Sequence, residues 1–95
     1  MDIVFDPAKD ARNIVSRGLS FARAADFDWA CALVLEDSRR EYGEPRFQAL
    51  GFIDDRLHML VFTPRAGKIH VISLCKANDR EMRRYEEAQT KPRID

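Results

Sequence analysis

The spacing of apolar positions along this chain changes from strand-like to helical and back, and those changes divide it into elements. Residues 3–5 are a short apolar run of strand type. Asp6-Pro7 then opens a helix, because aspartate accepts the free amides of a first turn and proline suits the first helical position. Ala11, Ile14 and Val15 recur at helical spacing and predict its buried face, and Gly18 predicts its left-handed end. Ser20 predicts the cap of a second, short helix with Phe21, Ala24 and Ala25 turned inward.

From Trp29 onward the pattern is that of strands. Residues 29–35 form a continuous apolar run, whereas 37–45 are charged, contain Gly43 and Pro45, and predict a loop. Residues 46–53, 57–63 and 68–75 predict three more strands, joined by turns at Asp54-Asp55 and at 64–67. Connections this tight leave no room for crossovers, so the strands are expected to be antiparallel neighbours. A last helix opens at Asn78, with Glu81 completing a capping-box pattern and Met82 and Tyr85 marking its inward side. Lys91-Pro92 is expected to end it in a frayed tail. The element order is β-α-α-β-β-β-β-α. The expected class is α+β: an antiparallel sheet with two N-terminal helices on one face and the C-terminal helix near the other. Strands apolar at most positions, such as 57–62, imply cover on both faces.

Composition narrows this picture without redirecting it. A chain of 95 residues is expected to form one domain, 1–95, and 45% apolar residues exclude a disordered class. The charge is balanced overall but divided. Residues 1–55 hold 7 Lys/Arg against 11 Asp/Glu, and residues 56–95 hold 9 against 5. A bulk polycation is thereby excluded, and any nucleic-acid contact must be local. Asp2, Asp6, Lys9 and Asp10 leave no apolar stretch for a signal peptide, and the run at 29–35 is far shorter than the roughly 20 residues that span a bilayer. Cys31 and Cys75 lie in apolar runs without CxxC spacing, so both are expected reduced and packed in a cytoplasmic protein. Two distant cysteines and two histidines are too few for a metal centre, and no cofactor is expected.

The chemistry concentrates in residues 63–87. They read as turn, strand and helix, and are expected to bring Arg65, His70, Lys76, Arg80, Arg83, Arg84 and Tyr85 to one anion-binding surface. Arginine clamps phosphate bidentately with a permanent charge, so the surface points to RNA. Several residues keep two readings. Arg46 either lines that face or pairs with Glu44 or Asp37. Lys76 holds phosphate or shields a strand end, and Lys9 is carried toward the site by the first helix or is simply an exposed helical lysine. Tyr85 stacks on a base or packs with Met82, and Glu81 is a base or only a cap. Arg80, Arg83 and Arg84 form a solvated face that attracts RNA or an acidic partner. His70 is a proton-exchanging group or a core histidine, on the face opposite Ile69 and Val71 and together with Ile72 and Leu74. His58, in an apolar strand, reads as a hydrogen-bonded core histidine.

An ordered set of residues resembles the BrnT toxins. It comprises Phe5-Asp6-Pro7-Ala8-Lys9, Asn13, Gly18, Ser20-Phe21-Ala22-Arg23-Ala24, Arg46-Phe47, Gly51, Thr63-Pro64-Arg65, Ile72-Ser73, Lys76-Ala77, Glu81 and Tyr85. The resemblance implies a RelE-like fold and a ribosome-independent, metal-free ribonuclease that blocks translation. It further implies a BrnA-like ribbon-helix-helix antitoxin as partner, with operator DNA reached only through that antitoxin. On this reading Arg65 is the main transition-state clamp, with Lys76, Arg46, Tyr85 and Lys9 as further catalytic candidates. Arg80, Arg83, Arg84 and His70 are the RNA-binding candidates. The chain departs from the family pattern at Ser16-Arg17-Gly18, where Lys-His-Gly is usual, at His70, where Arg is usual, and at Ser73-Leu74-Cys75, where Ser-Ala-Arg is usual. Three function classes follow: an active ribonuclease, a catalytically weakened module that still pairs with its antitoxin, or a stand-alone RNA-binding domain, disfavoured because the aromatic residues mostly sit at core-like positions.

Overall fold

The computed structural model describes residues 2–90, so the helix end expected at Lys91-Pro92 lies outside the described residues. Local chemistry sets the element boundaries. Asp6 Oδ1 accepts the amide of Ala8 at 2.8 Å, Pro7 starts α1 (Pro7–Arg17), and Gly18 ends it at φ 64°. Ser20 caps the following helix as expected, but that helix (Phe21–Asp26) is of 3₁₀ type. Its period of three residues turns Phe21, Ala24 and Phe27 into the core and leaves Ala25 exposed, contrary to the helical reading. Asn78 and Glu81 exchange both capping-box bonds, at 2.8 and 2.9 Å, at the start of α2 (Asp79–Thr90).

Among the described residues, five strands form one sheet in the order β1-β5-β4-β3-β2. They are β1 (Ile3–Val4), β2 (Leu33–Glu36), β3 (Phe47–Ile53), β4 (Arg56–Arg65) and β5 (Lys68–Lys76). Strands β3 to β5 are antiparallel neighbours, as the tight turns require, and β2 pairs antiparallel with β3 across the 37–46 connection. The sheet is nevertheless mixed, because β1 pairs with β5 in parallel. No short turn ties β1 to its neighbour, so the argument from tight connections never governed its direction. The β4–β5 turn is also tighter than expected. Ala66 and Gly67 alone form it, both at positive φ, which leaves Arg65 as the last residue of β4. Residues 29–31 do not join a strand. Trp29 instead packs edge-on against Phe27 and Phe62, the amide of Ala32 donates to its carbonyl, and Cys31 is exposed rather than packed.

Both faces of the sheet are covered, as the apolar strands implied. On one face, Phe21, Ala24 and Phe27 pack on Ala49, Ile53, Leu60, Phe62, Ile69, Val71 and Leu74. On the other, Tyr85, Met82 and Ala77 cover Leu50, Leu57 and Met59. Helix α1 does not bury the face expected of it: Ile14 is 46% and Val15 88% exposed. Its buried residue is Asn13, whose amide donates to the carbonyls of Leu19 and Leu74 at 2.8 and 2.9 Å. β1 ends at Val4, opposite His70, so the outer edge of β5 beyond that point has no partner strand. The helix therefore meets the edge through a polar side chain that satisfies a carbonyl, and its apolar residues are left outside.

An irregularity in β5 decides which side chains share a face. Val61 pairs with Ser73 and Phe62 with Val71, so Ile72 has no β4 partner. This bulge reverses the alternation beyond it. Leu74 therefore joins Ile69 and Val71 in the core, not His70 on the opposite face as simple alternation predicts. His70, Ser73 and Cys75 come together on the α2 side.

Gly51 on β3 is the close-approach position of the core. A Cβ built there stands 2.5 Å from Phe27 Cζ, and that ring is held by Trp29. Gly51→Ala is expected to destabilise the fold by about 1–3 kcal/mol, as overpacking of a filled core does, and urea denaturation measures it.

Candidate active-site cleft

The register places Arg46, Gln48, Thr63, Arg65, His70 and Ser73 on the α2 side of the sheet. α2 covers the other end of that face, over Leu50, Leu57 and Met59. Polar and charged side chains line the open part. A cleft of about 700 Å³ runs along it, lined among others by Arg17, Asp37, Arg39, Gln48, Ser73, Cys75, Arg80, Glu81 and Arg84.

At the β4–β5 hairpin end, three titratable side chains meet. The Glu44 carboxylate accepts from Arg65 Nε at 2.9 Å and from Nη2 at 2.8 Å. Nη1 is left facing His70, 3.5 Å from Nδ1. The hydrogen bonds from Arg65, aided by the charges of Arg46 and His70, hold the Glu44 carboxyl below its usual range despite some desolvation. The same pairing raises Arg65. Thr63, fully buried, donates to the carbonyl of Pro45 and ties the loop carrying Glu44 to the sheet.

Beside this cluster, the 37–45 loop is built on a buried carboxylate. Asp37 accepts from Arg39 Nε at 2.9 Å and Nη2 at 2.7 Å, and from the Tyr42 hydroxyl at 3.3 Å. The Arg39 hydrogen bonds hold Asp37 far below the ordinary carboxylate range, outweighing burial, and Asp37 in turn raises Arg39. The ring of Tyr42 then lies 3.7 Å under the Arg46 guanidinium. Arg46 Nε is buried without a hydrogen-bond partner among the described residues, so the aromatic face supplies the favourable electrostatics.

The residues singled out from the sequence thus divide. Arg65, Arg46 and His70 share the open face, and Arg80 and Arg84 line the cleft beside it. Arg46 pairs with neither Glu44 nor Asp37, which serve Arg65 and Arg39. The remaining residues do not converge on this face. Lys76 ends β5 opposite His58, on the other face of the sheet and about 25 Å along the strand from Lys68, at some 3.3 Å per residue. Tyr85 is 9% exposed; it packs edge-on against Phe52, and its hydroxyl donates to the carbonyl of Cys31 at 2.9 Å. Burial raises its pKa. Lys9 and Arg83 are exposed on their helices and do not line the cleft. Glu81 is taken up by the capping box. His58 is a core histidine, its Nδ1 2.8 Å from the Arg56 carbonyl and its pKa lowered by burial.

Sequence reasoning did not assign Glu44, Arg39, Tyr42 or Gln48 to the site, and noted Arg17 there only as a departure from the family pattern. Only the charge density of the 37–45 loop hinted at the first three. Helix α1 brings Arg17 over Cys75, whose thiol is raised by burial with the Arg17 charge opposing.

Asp37 titrates lower in the folded chain than in the unfolded one, so its contribution is complete above the ordinary aspartate value of about 3.9 and is lost as pH falls below it. Asp37→Asn is expected to cost about 1.5–3 kcal/mol near neutrality, as losing hydrogen bonds to a charged group does. Urea denaturation should show the gap between wild type and variant closing as pH drops below about 4.

Among known proteins, the family model described as "Ribonuclease toxin, BrnT, of type II toxin-antitoxin system" matches residues 5–81. No curated protein matches the chain.

Proposed function

The chain belongs to the BrnT ribonuclease toxins of type II toxin-antitoxin systems, and from that membership we propose that it is a ribosome-independent endoribonuclease that cleaves RNA without a metal and so blocks translation. The observation that carries this is the meeting of Glu44, Arg65 and His70 on the open part of the sheet. Metal-free cleavage needs a base for the 2′-hydroxyl, a cation for the phosphorane and an acid for the leaving oxygen. One carboxylate, one guanidinium and one imidazole meet that need.

In the proposed reaction, the scissile phosphate displaces Glu44 from the Arg65 fork; an exposed ion pair of this kind is readily exchanged. The freed carboxylate takes the 2′-hydroxyl proton, and the 2′ oxygen attacks phosphorus while Arg65 neutralises the phosphorane oxygens. The bond from phosphorus to the 5′ oxygen breaks, and protonated His70 gives its proton to that oxygen. A 2′,3′-cyclic phosphate and a 5′-hydroxyl result. Arg46, fixed over Tyr42, adds positive charge beside Glu44. Lys9 and Lys76 enter this scheme as charges remote from the reacting atoms, and Tyr85 as a core support.

A type II toxin has a protein antitoxin. Here we take that partner to be a BrnA-like ribbon-helix-helix protein, through which alone the toxin reaches operator DNA. The cytoplasm is the proposed compartment; among the described residues no helix is long and apolar enough to cross a membrane. One observation favours the weakened antitoxin-binding module as a second reading: Glu44 already occupies the fork that a phosphate would use.

Expression of the wild-type chain alone is expected to arrest growth, and Arg65→Ala to relieve the arrest with an unchanged circular dichroism spectrum and cleavage reduced about 10²-fold or more. Glu44→Gln and His70→Gln should each slow cleavage by about 10²–10⁴-fold, with the acidic limb of the pH–rate profile lost in the first and the alkaline limb in the second. Purified protein should cleave RNA in chelator. A harmless wild-type chain at good soluble levels, or a strict requirement for added metal, sinks the reading.

A further inference from the structure

We propose that Arg17, Arg80 and Arg84 form a second phosphate subsite, which holds a neighbouring phosphodiester of the same single-stranded RNA while Arg65 holds the scissile one. The proposal rests on the assignment of Arg65 to the scissile phosphate. The three arginines come from two elements far apart in the chain, the C-terminal turn of α1 and the first two turns of α2, yet line one cleft. Arg80 and Arg84 are four residues apart and so lie on one face of α2. Arg17 reaches the same cleft over Cys75.

The charges around them leave these three available. Among the described residues, none of the three forms an ion pair, whereas Arg39 and Arg65 do. Three acidic residues also line the cleft: Glu36, Asp37 and Glu81. Asp37 is held by Arg39, and Glu81 accepts the Asn78 amide. Ser73, Gln48 and Asn78 add neutral hydrogen-bonding groups to the lining.

Position relative to Arg65 identifies the occupant. His70 stands beside Arg65, and Ser73 and Cys75 continue the same face of β5 under Arg17. Counted along β4, whose Thr63, Val61 and Met59 stand opposite them, the step from His70 to Ser73 or Cys75 is roughly 7–13 Å at about 3.3 Å per residue, the scale of one or two nucleotides. A single strand entering at Arg65 therefore runs up the cleft toward α2. Guanidinium groups dominate the polar lining and no aromatic ring stands among the lining residues, so the cleft offers phosphate contacts and no stacking platform.

Binding of a 2′-O-methyl oligoribonucleotide, which lacks the nucleophile and stays intact, tests this independently of cleavage. The slope of log K against log[salt] measures the phosphates neutralised, at about 0.7 each for a single strand. One subsite phosphate accounts for about 0.7 of the slope, so the triple variant Arg17→Gln/Arg80→Gln/Arg84→Gln should make it shallower by about 0.7 and each single variant by part of that. Arg83→Gln, on the same helix but off the cleft, should leave it unchanged. A 2′-O-methyl dinucleotide, with one phosphodiester, should bind wild type and the three variants alike. Unchanged slopes in the cleft variants, an equal change in Arg83→Gln, or capture of an acidic peptide with no oligonucleotide binding would each overturn the subsite. Intact salt-dependent binding without any cleavage of ordinary RNA would instead overturn the nuclease reading and leave the subsite standing.

Discussion

One unpaired residue in β5 organises the rest of the molecule. Because Ile72 has no β4 partner, the side-chain alternation reverses partway along the strand. Leu74 can then enter the same core as Ile69 and Val71, and is fully buried there. The opposite face receives His70, Ser73 and Cys75 in a row. Without the bulge, Leu74 would fall on the side of His70 and Ser73 would enter the core. The cleft is the consequence of that reversal combined with the limited reach of α2, whose twelve residues span about 18 Å. Leu50, Leu57 and Met59 lie under the helix, and the sheet beyond them is left to polar side chains.

The charges on that open part are of two kinds. Asp37 and Arg39 form a buried-to-surface pair whose work is positional: it holds Tyr42, and Tyr42 holds Arg46. Glu44 and Arg65 form a pair that solvent reaches, Arg65 being more exposed than Glu44, and the partners of such a pair are exchangeable. A rigid scaffold beside a labile ion pair suits a site in which substrate phosphate competes with a resident carboxylate. The same displacement that seats the phosphate releases the base, so binding and activation are one event in the proposed reaction.

Much of the frame was legible along the chain because its signals are local. The Asp6-Pro7 start and Gly18 end of α1, the Asn78–Glu81 box, the Ser20 cap and the strand segments all depend on residues within a few positions of one another. Arg65 and Arg46 were legible as candidates, and the structure places them on one open face; His58 was legible as a core histidine. The errors share a cause. Ala11, Ile14 and Val15 make an apolar helical stripe, but whether a stripe is buried depends on what lies across from it, and across from it lies a strand edge that needs a hydrogen-bond donor. The parallel pairing of β1 joins residues 3 and 69, and no turn between them reports its direction. Lys76 and Arg65 are near in sequence, yet an extended strand between them carries them to opposite ends and faces of the sheet.

What the sequence by itself determined is therefore the α+β class, most of the elements with their caps, and the family to which the ordered residues belong. Each of these follows from short-range hydrogen bonding and from the periodicity of apolar residues. Only the tertiary structure decided which cations stand together. It brought Glu44 to Arg65 across 21 positions and Arg17 to Cys75 between two helices, and it withdrew Tyr85 into the core. The physical reason is that a side chain's face is set by the parity of its strand and the register of its neighbour. One unpaired residue changes that parity, and the alternation of residues along a single strand carries no mark of it.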